Sequence, residues 1–386
     1  MPTESLNIQH AIVFADFYSA YLLTIVGWII MGFLGLRIVV ALTNLITRQW
    51  MKNTAAKPEG LVSVLIPARN EENAIGQLLH DLMSQDHPEL EIIVYDDDSE
   101  DQTRSIVEQA ASNHGKIRLI QGLKLPPGWL GKNHACHQLT RHAKGDYFLF
   151  LDADVRLNKG AIRNALQYIQ QHKLDLLSLF PSQRMISWGE KISVPLMNWV
   201  LVSLLPLILT RISSFSSLSA ANGQFMLFRA SCYKTYHPHE RFRKQTAEDI
   251  VIARFLKSRG HRIQTLLGGD QVFCRMYGSL QEASRGFSKN VLAFFGNSSV
   301  IGLIFATITS LGIVPIYLGL PWAWTLIYIA GTLLLRALVS LSSNQSLLFN
   351  LINAPIQQFI FFGVVLQAVI NRKRKTNTWK GRFIDL

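Results

Sequence analysis

The sequence predicts an α/β domain built on a mostly parallel, doubly wound sheet and carried between membrane-spanning segments. Three observations predict it. Short apolar, β-branched or aromatic runs at 61–66, 90–95 and 147–151 each stop at a polar loop, as strands buried on both faces of a parallel sheet do. Helical periodicity follows the first run, with Ile75, Leu78, Leu79 and Leu82 on one face, and a second helix is expected from about Thr103 to Ala111. The chain of 386 residues is 49% hydrophobic with mean hydropathy +0.19, more apolar than a soluble α/β domain, and the excess lies at 11–46 and 291–370.

The first apolar stretch, Tyr18 to Ile46, is long enough to cross a hydrocarbon core of about 30 Å at about 1.5 Å per residue. Residues 1–36 hold no Lys or Arg, so the stretch reads as an uncleaved anchor rather than a signal peptide. Glu4 and Asp16 precede it, and Arg48, Lys52 and Lys57 follow. The positive-inside rule then leaves 1–17 outside and puts the domain at 57–290 in the cytoplasm, on a multi-pass protein of the inner cell membrane. The net charge of +12 gathers beside apolar segments, as at Arg372-Lys373-Arg374-Lys375, which favours anionic lipid over nucleic acid as its partner. Cys136, Cys232 and Cys274 are few and widely spaced, fitting reduced thiols.

Within the domain, the run 61–66 meets Pro67 and the loop Ala68-Arg69-Asn70-Glu71-Glu72-Asn73, whose Asn73 is a candidate helix cap. The run 90–95 opens into Asp96-Asp97-Asp98-Ser99-Glu100-Asp101, and the run 147–151 into Asp152-Ala153-Asp154. In a parallel sheet these loops gather at the carboxyl edge, where ligands bind. Acids at strand ends commonly build turns, an adequate account of Asp96, Asp98 and Asp101 singly. Asp152 and Asp154 at the tip of a buried strand make a hard-cation site, suited to Mg²⁺ or Mn²⁺ held against a diphosphate.

The motifs Ile66-Pro67-Ala68-Arg69-Asn70-Glu71-Glu72, Asp97-Asp98-Ser99-Glu100-Asp101 and Asp152-Ala153-Asp154 stand in the order of the family 2 glycosyltransferases, and residues 60–290 resemble that family. The resemblance implies a GT-A fold, and a nucleoside pocket lined by Pro67, Arg69, Glu71 and Asp97, with Asp97 accepting from uracil. It further implies that Gly131-Lys132 lies in a loop beside the nucleotide, with Lys132 near a phosphate, and that Asp154 holds the metal while Asp152 reaches the ribose or a metal-bound water. Asp98 stands where glycine is usual. Ser219 to Arg229 is similar to the small-residue loop and strand on the acceptor side, and Thr246-Ala247-Glu248-Asp249-Ile250 puts the implied catalytic base on Asp249, with Glu248 as second choice. Such a base would take the proton of an acceptor hydroxyl as it attacks the sugar, giving inversion.

No Gln-x-x-Arg-Trp motif of processive synthases is present. Gly131 to Cys136, Phe273 to Tyr277, Gly286 to Asn290 and Trp379 to Arg382 instead resemble the membrane glycosyltransferases of carotenoid-acid pigment pathways. That resemblance implies UDP-glucose as donor and a carotenoid acid or alcohol as lipid acceptor. Ceramide, diacylglycerol, a hopanoid or polyprenyl phosphate are the alternative acceptors, and a catalytically silent membrane scaffold or lipid carrier is the alternative of another class.

The segment 192–210 is apolar but interrupted by Ser193, Asn198, Ser203 and two prolines. A span there would put Asp249 across the bilayer from Asp154, so it is expected to lie in the interface or re-enter. Apolar segments at 300–320, 322–341 and 347–370 follow, with Trp322 and Trp324 suited to an interfacial belt. Asn350, Asn353, Pro355, Gln357 and Gln358 make the last a candidate re-entrant segment, which leaves the spans at three or four and residues 371–386 as a basic cytoplasmic tail.

Overall fold

The computed structural model describes residues 2–374, 378–379 and 382–383, with side chains from 18 to 374. The rest of the expected basic tail lies outside the described residues. Helix α1 (Pro2–Thr47) begins well before the apolar stretch, and its part long and apolar enough to cross a membrane is Tyr18–Thr47. The chain leaves it straight into the α/β domain: the Gln49 carbonyl accepts from Leu267 N–H at 2.8 Å and the Met51 carbonyl from Gln271 Nε2 at 2.9 Å.

Strand β1 (Val62–Ala68), α2 (Ile75–Met83), β2 (Leu90–Asp96), α3 (Thr103–Asn113) and β3 (Ile117–Gln121) form the first half of a doubly wound sheet. After α4 (Gly131–His142), β4 (Tyr147–Leu151) ends at the acid pair, and β5 (Val155–Leu157) starts immediately beyond it. Then follow α5 (Ala161–Gln171), β6 (Leu176–Phe180), β7 (Ser182–Gln183), α6 (Trp188–Ser193), α7 (Pro195–Leu204) and α8 (Leu209–Ile212). Strand β8 (Phe225–Arg229), α9 (Ala230–Tyr236), α10 (Pro238–Arg241), α11 (Glu248–Ser258), β9 (Ile263–Leu267), β10 (Val272–Cys274) and α12 (Leu280–Asn290) complete the domain.

The main sheet has the order β3-β2-β1-β4-β8-β6-β9, parallel throughout except β8, which is antiparallel to both neighbours. Its register sets Ala68 beside Asp96 and Leu65 beside Phe150, so the loops after β1, β2 and β4 leave the same edge. A small sheet, β5-β10-β7, pins the chain just past Asp154 to the stretch leading to Arg275 and Tyr277. Asn73 does not cap α2. Ala74 holds the cap position, and the Glu71 carbonyl instead accepts from the N–H groups of Ala74 and Ile75, both at 2.9 Å.

Beyond the domain lie α13 (Ser299–Leu311), α14 (Ile313–Gly319), α15 (Trp322–Ser342), α16 (Leu347–Ile352) and α17 (Ala354–Arg374). Besides α1, both α15 and α17 are long and apolar enough to cross a membrane. The expected segment 300–320 is not one helix. It breaks at Gly312, because Pro315 has no N–H for the Leu311 carbonyl and a Cβ at Gly312 would collide with the Ile308 carbonyl. The polar residues of 347–370 bond one another and α15: Gln357 donates to Asn350 and Asn350 to Ser340, both at 2.9 Å, and Gln357 and Gln358 accept from Arg336 at 3.0 and 3.1 Å.

Within 192–210, α7 has 10 residues, about 15 Å at about 1.5 Å per residue and roughly half a hydrocarbon core. It packs on α1 and α15. The Trp199 ring lies between the guanidinium of Arg37, 4.1 Å from its centre, and that of Arg336, 4.5 Å away, while Arg37 also donates to Ser203. One hydrophobic cluster runs through α7, α12 and the long helices, whereas two others fill the faces of the sheet. The α/β domain and the long apolar helices therefore share a core.

Candidate active site

All nine residues nominated from the sequence border one cleft of about 950 Å³ at the carboxyl edge of the sheet. At one end the loops after β1 and β2 interlock. Asp97 N–H donates to the Ala68 carbonyl at 2.8 Å, and Arg69 Nη1 donates to the carbonyls of Asp97 and Asp98 at 2.6 and 2.9 Å. Arg69 thus borders the cleft while holding the β2 loop in place. Asp98 has φ +60°, the left-handed region, which accounts for the glycine usual at this position and for an acid being tolerated there. Asp101 builds the same loop, accepting from Glu72 and Thr103 N–H. Pro67 is the penultimate residue of β1, and the buried Asp97 lies just past β2.

Lys132 is not in a loop but in the first turn of α4, because the helix starts at Gly131. Its ammonium lies 2.7 Å from Asp152 and 3.7 Å from Glu248. Burial alone would lower its pKa, but the two carboxylates outweigh burial and raise it, so it stays charged. Asp154 meets no such cation. Its carboxylate accepts from Gln224 Nε2 at 3.2 Å, and among the described residues no basic group lies in ion-pair range. Burial, then the charges of Asp152 and Glu71, push its pKa up to about 7. Asp154, with Asp152 beside it, no basic partner among the described residues and a carboxylate pressed toward neutrality, fits a divalent cation, whose charge would relieve that pressure.

Facing this cluster across the cleft is the first turn of α11. Asn222 and Gln224 close a tight turn, Gln224 N–H donating to Asn222 Oδ1 at 2.9 Å, which aims the Gly223 N–H at Asp249 Oδ2, 2.8 Å away. Asp249 Oδ1 accepts from Ile250 N–H at 2.8 Å. A Cβ at Gly223 would stand 3.0 Å from Lys132 Nζ and 3.4 Å from Glu248 Oε1, so glycine makes the close approach possible. Burial raises the pKa of Asp249, opposed by its hydrogen bond from Gly223, and lifts Glu248 to about 7 against the pull of Lys132. The arrangement sets the acid pair Asp152 and Asp154 and the hydrogen-bonded Asp249 on the wall of one cleft.

Sequence reasoning missed two groups in the wall. Trp129 borders the cleft and packs on His134 and His137, with ring centres 5.4 and 5.3 Å apart. Its one signal is an aromatic residue just before the Gly131 helix start. Gln224, the hydrogen-bond partner of Asp154, was visible only as part of a small-residue loop.

Residues 63–236 match the model of Glycosyl transferase family 2. They form a family 2 glycosyltransferase domain. The domain has a GT-A-like fold: a mannosyltransferase of Pyrobaculum calidifontis, solved in complex with GDP-Man and Mn²⁺, superposes with a TM-score of 0.58 over 92% of this chain and 100% of its own, at 17% identity. By sequence, the chain is 32% identical over 187 residues to the 4,4'-diaponeurosporenoate glycosyltransferase of Staphylococcus haemolyticus. It is 38% identical over 122 residues to the enzyme of the same name from Staphylococcus aureus. These matches span 47% and 31% of the relatives' lengths, about half and under a third.

Proposed function

We propose that the protein transfers a hexose, glucose, from UDP-glucose to a carotenoid acid or alcohol held in the membrane, with inversion at the sugar. The observation that carries this reading is the meeting of Asp154 and Asp249 across one cleft, through Gln224 and Gly223 of a single turn. The names of the staphylococcal relatives support the carotenoid acceptor.

Asp97 and Arg69 form the nucleoside end, with Asp97 accepting from the uracil ring. Asp154, with Asp152, would hold a Mg²⁺ or Mn²⁺ ion, which supplies Lewis-acid neutralisation of the leaving diphosphate. Lys132 adds a fixed positive charge on the same side, and its ion pairs keep it from reaching away into solvent. Asp249, oriented by two backbone N–H groups, takes the proton of an alcohol acceptor as its oxygen attacks the anomeric carbon. The shared core of α7, α12 and the long helices supports a cleft at the membrane surface, which a lipid enters sideways. The positive-inside rule turns that surface to the cytoplasm.

The test is UDP release from UDP-glucose by the full chain with Mg²⁺ or Mn²⁺, offered carotenoid acids, carotenoid alcohols, ceramide and polyprenyl phosphate. Acceptor-dependent release with a carotenoid, lowered about 10³-fold in Asp154→Asn, is expected. Release only with another lipid would reassign the acceptor, and silence with all of them would sink the reading.

A further inference from the structure

Among the described residues, four basic side chains border the cleft: Arg69, Lys132, Arg275 and Lys289. Three are committed. Arg69 holds the carbonyls of Asp97 and Asp98, Lys132 pairs with Asp152 and Glu248, and Arg275 pairs with the buried Glu190 at 2.8 Å. Lys289 makes no ion pair or hydrogen bond with the described residues, and it is exposed to the cleft. Seven acids also line the cleft, and among the described residues Lys289 is the basic group there without an ion-pair partner, so an anionic acceptor entering the cleft is drawn to this ammonium.

The position of Lys289 suits a group that must meet the reacting carbon. It borders the main cleft and also a small recess lined by Thr246, Ala247 and Ile250, the segment that carries Asp249. It sits near the end of α12, whose opposite face buries Ala283, Phe287 and Ser288 and packs on α6 and α17. The helix therefore has the catalytic space in front and a long apolar helix behind. Partial burial of the Lys289 stem lowers its pKa, as expected of an amine at the rim of an apolar wall.

We infer that Lys289 is a specificity-determining residue that binds the carboxylate at the polar end of a membrane-embedded acceptor, and so selects acids over alcohols. The inference rests on the transfer reaction proposed above and names its substrate class. One carboxylate oxygen accepts from the Lys289 ammonium while the other attacks the anomeric carbon. The new carbon–oxygen bond forms as the bond to the diphosphate breaks, its electron pair leaves with UDP, and no proton is transferred.

The test compares two acceptors with the same polyene chain, one ending in a carboxylate and one in a primary alcohol, presented in vesicles to the full chain. Lys289→Met is expected to lower the carboxylate-to-alcohol ratio of kcat/KM by about 10–100-fold, through KM, as loss of one charge-assisted hydrogen bond implies. Lys289→Arg is expected to restore most of it. A ratio unchanged in Lys289→Met overturns the inference. A polyene sulfonate, which carries the charge but is a poor nucleophile, gives a check that needs no variant. Competition with either acceptor on the wild type is expected, and its absence overturns the inference. No acceptor-dependent UDP release by the wild type with either acceptor defeats the transfer reading itself, and the inference with it.

Discussion

At the scale of single residues, the site turns on two carboxylates with different duties. In the proposed reaction Asp249 takes the proton of an alcohol acceptor, whereas a carboxylic acid is already ionised near neutral pH and needs no base. Asp249→Asn is therefore expected to cost about 10²–10⁴-fold in kcat on a carotenoid alcohol and less than about tenfold on the matching acid, while Asp154→Asn costs both alike. Burial raises the Asp249 pKa. Its base form is thus lost at a higher pH than an ordinary aspartate's, so the alcohol reaction should show an acid limb that the acid reaction lacks. Asp98 tests the reading of its loop. At φ +60° a β-branched residue is strained, so Asp98→Val should lose about 1–2 kcal/mol in thermal unfolding, while Asp98→Gly stays within about 0.5 kcal/mol, the Arg69 contact at 3.9 Å being exposed and weak. The glycine usual at that position was a sequence-level clue, but its reason, a left-handed backbone, is not written in the composition of the loop.

At the scale of elements, α6 is held to the cleft wall by Glu190. Its side chain closes a capping box with Ser187, accepts from Ile186 N–H at 2.8 Å and pairs with Arg275. Burial alone would push its carboxyl up, but Arg275 and these donors outweigh it and hold the pKa down to about 2 against an ordinary 4.5. A depressed carboxylate contributes stability that is complete above its unfolded pKa and is lost as pH falls through the folded one. Glu190→Gln should lower the Tm by about 2–4 °C at pH 7, and the gap should close between pH 4.5 and 2. A gap constant with pH would show that shape, not charge, holds α6. The elements themselves were legible where pattern is local. β1, β2 and β4 end within a residue or two of the expected places, and α3 starts at Thr103 as periodicity suggests. The reversed direction of β8 was not legible, because an apolar run buried on both faces reads the same in either direction.

At the scale of the whole molecule, the α/β domain and the long apolar helices pack on one another. Residues 49–51 bond to the far edge of the sheet, and Trp199 of α7 lies between arginines of α1 and α15. A fragment of residues 57–290 should therefore aggregate, since it bares Leu196, Trp199, Val200 and Phe287, which the long helices cover. A monodisperse fragment on gel filtration would contradict this. The α/β class and the strands that end in acids were legible along the chain, because apolar runs and polar strand ends are local consequences of burial, and the family resemblance nominated nine of the residues that line the cleft. It took the packed chain to show that Lys132 pairs with Asp152 and Glu248, that Gln224 rather than a basic side chain meets Asp154, that Trp129 walls the cleft, and that α7 joins the long apolar helices. Those contacts join residues distant along the chain. Strand order and register bring them together, and neither is encoded in any one segment's hydropathy.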